Sequence, residues 1–188
     1  MSNLSIPVIL GTARPGRESA DVAAVVLDAI KQRGTATELI DVADYPISGT
    51  EDPDEAARLG RYKELIDSAD GLVIVVPEYN HGYPGELKLL LDSAYEEYNH
   101  KPLGVVSVSS GMIGGARVTE QLQLVSLALE MIPVEPTVHV RTVKEALDDN
   151  GGFEEEGLEG ALASMLDKVT WYASVMAPAR RARNQEPD

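Results

Sequence analysis

Residues 72–80 read Leu72-Val73-Ile74-Val75-Val76-Pro77-Glu78-Tyr79-Asn80, which is five large apolar side chains followed at once by a polar turn. A short, nearly continuous apolar run rich in β-branched residues is typical of a strand that is buried on both faces. Strands of this kind occur in parallel sheets whose two faces are covered by helices. The sequence on either side of residues 72–80 should therefore alternate between strand and helix.

The flanking sequence shows this alternation. Short apolar runs are separated by segments with apolar residues at helical spacing, and Gly11, Gly34 and Pro84 lie at the boundaries. Pro136 interrupts the last apolar run, which favours an edge position in the sheet. The predicted strands are 6–10, 37–42, 72–76, 105–108 and 134–140, and the predicted helices are 19–33, 54–69, 85–99, 116–131 and 158–176.

Five strands alternating with five helices predict an α/β fold with a doubly wound parallel sheet. The expected strand order is 2-1-3-4-5, the flavodoxin-like order, which places a ligand crevice at the carboxyl ends of strands one and three. We expect one domain over residues 1–178, a surface loop over 44–53 and a disordered tail over 179–188.

The composition limits the chemistry. The chain has 188 residues, 44% of them hydrophobic and 25% charged, which is typical of a globular protein with a sizeable core. It has no cysteine, which excludes disulfides, thiolate metal sites and cysteine nucleophiles. Its three histidines show no metal-ligand spacing, so we expect no metal site. Redox chemistry in this chain would therefore need a bound organic cofactor.

The charge balance limits the partners. Sixteen basic residues against 31 acidic ones give a formal net charge of −15, which disfavours binding to nucleic acid or to anionic lipid. No apolar run approaches the ~20 residues that cross a bilayer, and the first residues do not have the pattern of a signal peptide. We therefore expect a cytoplasmic protein without membrane contact, in which an anionic ligand needs a local positive site.

The segment after the first predicted strand carries the donors of such a site. Residues 11–19, Gly-Thr-Ala-Arg-Pro-Gly-Arg-Glu-Ser, lie where backbone N–H groups and the positive end of a helix dipole converge. Thr12 and Ser19 add hydroxyl groups, and Arg14 and Arg17 add guanidinium groups suited to phosphate oxygens. The segment has neither the Lys-Ser/Thr ending of a P-loop nor the G-x-G-x-x-G of a dinucleotide loop. A monophosphate such as that of FMN fits better, and the alternative is a solvated turn.

Two further segments follow predicted strands at the same edge of the sheet. Residues 77–85 contain two prolines and two glycines, which fix an irregular backbone. Such a loop can supply backbone donors and acceptors to the edge of a planar heteroaromatic ring, and Tyr79 and Asn80 to its face. In residues 109–117, small residues and glycines let a ligand approach the backbone. Taken alone, either segment is also compatible with an ordinary connecting loop.

Together, the three segments resemble the NAD(P)H-dependent FMN reductase family of flavodoxin-like proteins, which includes chromate, azo-dye and quinone reductases. That family typically shows G-[ST]-x-R near the N-terminus, P-E-Y-N after strand three with P-G-x-L-K opening the next helix, and S-x-G-x-x-G-G-x-R after strand four. The corresponding segments here are residues 11–14, 77–80 with 84–88, and 109–117. The resemblance covers roughly residues 5–140.

The resemblance implies an enzyme that transfers hydride from NAD(P)H, via bound FMN, to an acceptor such as a quinone, a free flavin, an azo compound or a metal oxyanion. Because the cofactor carries the chemistry, we name no catalytic acid or base. The alternatives are a flavodoxin-type electron carrier, which the acidity favours, and a phosphate-ligand binding module without turnover. The implied contacts are Thr12, Arg14, Arg17 and Ser19 to the FMN phosphate, Pro77, Glu78, Tyr79 and Asn80 to the isoalloxazine ring, and Ser109 and Gly111 to the other edge of the ring.

Two predicted helices carry more apolar surface than one sheet-facing stripe needs. Relatives in the family commonly pair such helices across a two-fold axis, so we expect a homodimer or a dimer of dimers (a homotetramer). The alternative is that both helices are deeply buried in the monomer. The apolar positions are Leu87, Leu89, Leu90, Leu91, Ala94, Tyr95 and Tyr98 in the first helix, and Leu122, Leu124, Val125, Leu127, Ala128 and Leu129 in the second.

Overall fold

Strands and helices alternate along the chain in the computed structural model, which describes residues 4–47, 52, 54–148, 151–155 and 157–183. Part of the expected surface loop, residues 48–51 and 53, lies outside the described residues. The strands are β1 (Val8–Leu10), β2 (Leu39–Asp41), β3 (Leu72–Pro77), β4 (Pro102–Val108), β5 (Ile132–Pro133) and β6 (Val138–Val140). The helices are α1 (Ser19–Gln32), α2 (Glu55–Ser68), α3 (Gly85–Leu91), α4 (Ala116–Ala128) and α5 (Leu158–Arg183), with short 3-10 turns at Val42–Asp44, Glu96–Tyr98 and Val143–Glu145.

The sheet is parallel throughout, in the order β2-β1-β3-β4-β5, which confirms the predicted α/β fold and strand order. The fifth strand predicted over residues 134–140 is found only as β6, and a further short strand, β5, lies just before its predicted start. β5 pairs with Pro102 and Leu103, and Val134 N still donates to Leu103 O at 2.9 Å. Residues 135–137 then leave the ladder, and β6 pairs with residues 106–108. Pro136 lies in that interruption and has no N–H group to donate, which is why the strand cannot continue through it.

Helices cover both faces of the sheet, and alternate strand residues point to opposite cores. On one face, Val73 and Val75 of β3 pack with α1 and α5. On the other face, Leu72, Ile74 and Val76 pack with α2, α3 and α4. This two-sided burial explains the continuous apolar run of β3. Within the described part of the chain, no helix is both long and apolar enough to cross a membrane.

The helix predicted over residues 85–99 is wrong beyond Leu91. The chain leaves the helix near Asp92 and forms a 3-10 turn at Glu96–Tyr98. This path buries Ala94 and Tyr98, and the Tyr98 hydroxyl is hydrogen-bonded to the hydroxyl of Tyr62 on α2. The break therefore allows an aromatic side chain to enter the core beside α2, which periodicity alone did not indicate.

Helix α5 continues past Pro178 to Arg183, into the segment predicted to be a disordered tail, and residues 184–188 of that tail lie outside the described residues. Arg180 and Arg181 both donate to the buried carboxylate of Asp70, at 3.3 and 2.9 Å. Lys101 is buried next to them, and its ammonium group donates to the carbonyls of Ile66 and Asp67 at the end of α2. We call Asp70, Lys101, Arg180 and Arg181 the amino-edge cluster, since Asp70 and Lys101 come just before β3 and β4. Charge pairing there fixes the last turn of α5.

Candidate functional site

Three loops meet at the carboxyl edge of the sheet, where the α/β rule places a ligand crevice. The first loop, residues 11–18, follows β1. The second loop, residues 78–84, follows β3, and the third loop, residues 109–115, follows β4. Backbone hydrogen bonds join their starting points: Gly11 N donates to Val75 O at 2.8 Å, and Glu78 N donates to Val108 O at 3.0 Å. The three predicted site segments therefore lie side by side.

The first loop presents unused donors at the start of α1. In the described part of the molecule, the backbone N–H groups of Gly16, Arg17 and Glu18 find no acceptor. Ser19 is only 3% exposed, and its hydroxyl has no hydrogen-bond partner among the described residues. A buried polar group without a partner is costly and is uncommon in native proteins. Donors of this kind at a helix N-terminus fit a phosphate, so the residues present fit the phosphate of FMN.

The two arginines of this loop differ. The Arg14 side chain is exposed, and no ion pair to it is found across the described residues. The Arg17 guanidinium forms an ion pair with Asp41 and donates to the carbonyl of Thr12 at 2.9 Å. The carboxylate of Asp41 thus offsets the charge of Arg17, and the same guanidinium braces the loop through the Thr12 carbonyl. Arg14 is the residue that keeps a free positive charge.

Thr12 joins the first loop to the second. It is fully buried, and its hydroxyl lies 3.1 Å from the Tyr79 hydroxyl. The same hydroxyl accepts from Arg14 N at 3.2 Å and donates to Glu86 Oε1, also at 3.2 Å. Sequence reasoning missed Glu86, and the available signal was an acidic residue directly after Pro84 and Gly85 in the family's helix-opening motif.

The second loop is a tight two-residue turn. Asn80 and His81 have φ angles of 50° and 69°, and Tyr79 and Gly82 exchange hydrogen bonds of 2.8 and 3.0 Å across them. Positive φ at both central residues is the property of a type I′ turn. The side chain of Gln121 on α4 donates to His81 O at 2.7 Å, which braces the turn from the neighbouring element. The tip of the loop, with Asn80 exposed, is thus held in one shape at the crevice.

The side chain of Glu78 caps the helix that follows the third loop. Its carboxylate accepts from the backbone N–H groups of Arg117 and Val118 at 3.2 and 3.3 Å, and an Arg117 guanidinium nitrogen lies 3.4 Å away. The residue before α4, Gly115, has no side chain with which to cap that helix. Glu78 therefore caps α4, and only its backbone remains available to a ring in the crevice.

The third loop rests on a pair formed by the buried Ser107 and the half-buried His139. The Ser107 hydroxyl donates to Gly114 O at 2.7 Å and lies 2.7 Å from His139 Nδ1, and burial lowers the pKa of this histidine. Gly114 and Gly115 have positive φ, and a Cβ on Gly114 would come within 2.9 Å of His139. Above this support, the Ser109 hydroxyl accepts from Gly111 N at 3.0 Å. Ser109 and Gly111 thus lie on a backbone segment that contacts with β4 and β6 hold in place.

Comparison with known proteins agrees with this geometry. The family model described as NADPH-dependent FMN reductase matches residues 4–145. An NAD(P)H-dependent FMN reductase of Schizosaccharomyces pombe is 34% identical over 148 residues, covering 73% of this chain and 72% of the relative. A 2-hydroxy-1,4-benzoquinone reductase of a Burkholderia species is 27% identical over 172 residues, covering 88% of this chain and 93% of the relative.

A solved structure agrees at the level of the fold. The flavoenzyme NAD(P)H:(acceptor) oxidoreductase of Paracoccus denitrificans superposes with a TM-score of 0.76 at 22% identity, over 91% of this chain and 97% of that one. The match of the family model confirms the expectations of an oxidoreductase, of FMN as cofactor and of NAD(P)H as reductant. The chain belongs to the NADPH-dependent FMN reductase family.

Proposed function

We propose that this protein is an NAD(P)H-dependent quinone reductase that uses FMN held at the three loops. The observation that carries the proposal is the buried, unpartnered hydroxyl of Ser19 beside the free backbone donors of the first loop. Those groups need an anion, and the monophosphate of a flavin supplies one. The preference for a quinone as acceptor is supported by relatives named quinone reductase, including one from Escherichia coli that is 29% identical over 177 residues.

In this proposal, the residues of the first loop bind the phosphate of FMN, and the residues of the other two loops orient its isoalloxazine ring. The phosphate is held by the side chains of Thr12, Arg14, Arg17 and Ser19 and by the backbone N–H groups of residues 13 and 16–18. Pro77, the backbone of Glu78, and Tyr79 and Asn80 border the ring on one side, and Ser109 and Gly111 border it on the other. Bound FMN supplies the two-electron redox chemistry between NAD(P)H and the acceptor, so the protein contributes position and electrostatics. No side chain needs to act as an acid or a base.

Exposed apolar side chains support the proposed homodimer or dimer of dimers. Of the apolar positions on α4, Leu122 and Leu129 are buried, whereas Leu124 and Leu127 are 69% and 60% exposed. On and after α3, Leu89 and Tyr95 are 50% and 57% exposed. Deep burial within the monomer therefore accounts for only part of the apolar surface of these helices, and a second copy could cover the rest. A cytoplasmic location is part of the same proposal.

The experiment for the proposed activity is steady-state oxidation of NADH and of NADPH by the purified protein with a quinone as the second substrate. We expect turnover by the protein alone, with the parallel double-reciprocal lines of ping-pong kinetics, because both substrates would use the same open crevice in turn. A flavodoxin-type electron carrier would bind FMN but would not oxidise NAD(P)H without a partner enzyme. A phosphate-binding module would do neither.

The experiment for the proposed site is Arg14→Ala. Hydrogen bonds to charged groups contribute about 1.5–3 kcal/mol, so loss of this guanidinium should weaken FMN binding by roughly tenfold or more. Riboflavin, which lacks the phosphate, should bind the variant and the wild type alike. Arg183→Ala is the matched control, since it removes the same charge from the far end of α5. Equal affinity of the wild type for FMN and riboflavin would show that the phosphate is not held here.

A further inference from the structure

We infer that Glu86 competes with the flavin phosphate for the donors of the first loop, and so sets how tightly this protein holds FMN. The inference deepens the proposed function and rests on it. It concerns a residue outside every predicted contact with the cofactor.

The contact is direct. Glu86 is the second residue of α3, and its Oε1 accepts from the backbone N–H of Ala13 at 3.0 Å and from the Thr12 hydroxyl at 3.2 Å. Both donors belong to the loop that we assign to the phosphate. A carboxylate oxygen and a phosphate oxygen are acceptors of the same kind, and each donates nothing when ionised. Glu86 therefore occupies part of the surface that an anionic ligand of this loop would approach.

The charge of this carboxylate is not offset locally. Among the described residues, no ion pair to Glu86 is formed, and the nearest basic residue on its own helix, Lys88, is paired with Asp92. A phosphate monoester carries about −1.5 to −2 charges at neutral pH. Two anions at the same loop repel each other, and salt weakens this repulsion. Whether the two anions share the loop or one displaces the other, FMN binding is weakened.

A cavity beside Glu86 has room for the carboxylate in another rotamer. A cavity of about 240 Å³ adjoins Glu86 and is lined by Ala13, Tyr45 and Leu89 among its described residues. Rotation towards this cavity would free Ala13 N and the Thr12 hydroxyl. Binding of the phosphate and release of Glu86 would then be a single coupled step.

The test replaces Glu86 by glutamine, which keeps an acceptor oxygen for Thr12 and Ala13 and removes only the charge. Purified protein is diluted until bound flavin dissociates, and the fluorescence of the released flavin gives Kd, once with FMN and once with riboflavin. We expect Glu86→Gln to bind FMN about tenfold more tightly, which corresponds to about 1.4 kcal/mol, and to leave riboflavin binding unchanged. Glu64→Gln, an exposed position on α2, is the control for net charge.

Each outcome decides something. In one outcome, the wild type prefers FMN to riboflavin but Glu86→Gln binds FMN no more tightly than the wild type does. Glu86 then only stabilises the loop, so the inference is wrong while the proposed site stands. If the wild type does not distinguish the two flavins, the phosphate assignment fails and this inference fails with it. Glu86→Ala and melting temperatures for all variants guard against misfolding. A tighter FMN complex in both Glu86 variants, at an unchanged melting temperature without flavin, supports competition.

Discussion

Replacement of Ser19 by alanine should change the stability of the protein and its cofactor affinity in opposite directions. Ser19 is the first residue of α1, is 3% exposed and has a hydroxyl without a partner in the described structure. In the protein without flavin, this hydroxyl is a buried polar group that has lost its hydrogen bonds to water. In the complex, the same hydroxyl would donate to a phosphate oxygen. Alanine removes both effects and leaves the backbone donors in place.

The two effects can be sized. A buried hydroxyl without a hydrogen bond costs about 1–3 kcal/mol in protein mutational data, so its removal should raise the stability of the flavin-free protein by roughly 1 kcal/mol. In a chain of this length that corresponds to about 2–4 °C in melting temperature. A hydrogen bond to a charged group contributes about 1.5–3 kcal/mol, so FMN affinity should fall about tenfold to a hundredfold. Riboflavin affinity should not change.

The assay measures the melting temperature without flavin, and Kd for FMN and for riboflavin, in wild type and Ser19→Ala. Ser126→Ala is the matched control, because Ser126 is fully buried on α4 but its hydroxyl donates to Gln123 O at 2.7 Å. Removing a partnered hydroxyl should give no comparable gain in stability and no change in Kd. A Ser19 variant that melts lower than the wild type and binds FMN equally well would refute the assignment of this hydroxyl to the phosphate.

Three further predictions concern the second loop, assembly and the amino-edge cluster. Proline at position 80 cannot adopt the φ of 50° found there, so Asn80→Pro should break the turn. We expect it to lower NAD(P)H–quinone turnover on the order of 10²-fold with a small loss of melting temperature. Asn80→Gly, which tolerates this φ, should retain activity. Light scattering should show a dimer or tetramer, and Leu124→Glu combined with Leu127→Glu should give monomers, whereas Leu39→Glu at the sheet edge should not. Burial lowers the pKa of Lys101 from 10.5 to about 8, so the unfolded chain binds more protons between these pH values and the free energy of unfolding should rise with pH across that window. Denaturant titrations at the two ends of the window check this, and an equal pH dependence in Lys101→Met would contradict it.

The strand order and the meeting of the three loops at one edge could be predicted from the sequence because both follow from local signals. The continuous apolar run of β3 is typical of a strand whose two faces are both covered, and neighbouring residues such as Val73 and Ile74 lie in the cores on opposite faces. The site follows from topology, since loops after neighbouring parallel strands lie at one edge. Pro136 predicted an interruption near the last strand, but not which residues the interruption spans.

The errors share a physical cause, which is that long-range contacts decided the local structure. The chain leaves the helical path before Tyr98 because the Tyr98 hydroxyl forms a hydrogen bond with the Tyr62 hydroxyl in the core. Helix α5 passes through Pro178 because Asp70 binds two arginines beyond it. The sequence likewise did not indicate that Asp41, 24 residues further along the chain, pairs with Arg17. No periodicity or motif reports a partner so far along the chain.

The amino-edge cluster also bears on how this protein could be attached to something else. The last turn of α5 is anchored beside the starting points of β3 and β4, so Arg183 lies on the side of the sheet opposite the three loops. A protein immobilised through an extension at that end would present its crevice away from the support. On an electrode or a resin, small acceptors would then reach the loops without passing the tether, and a short linker would be sufficient.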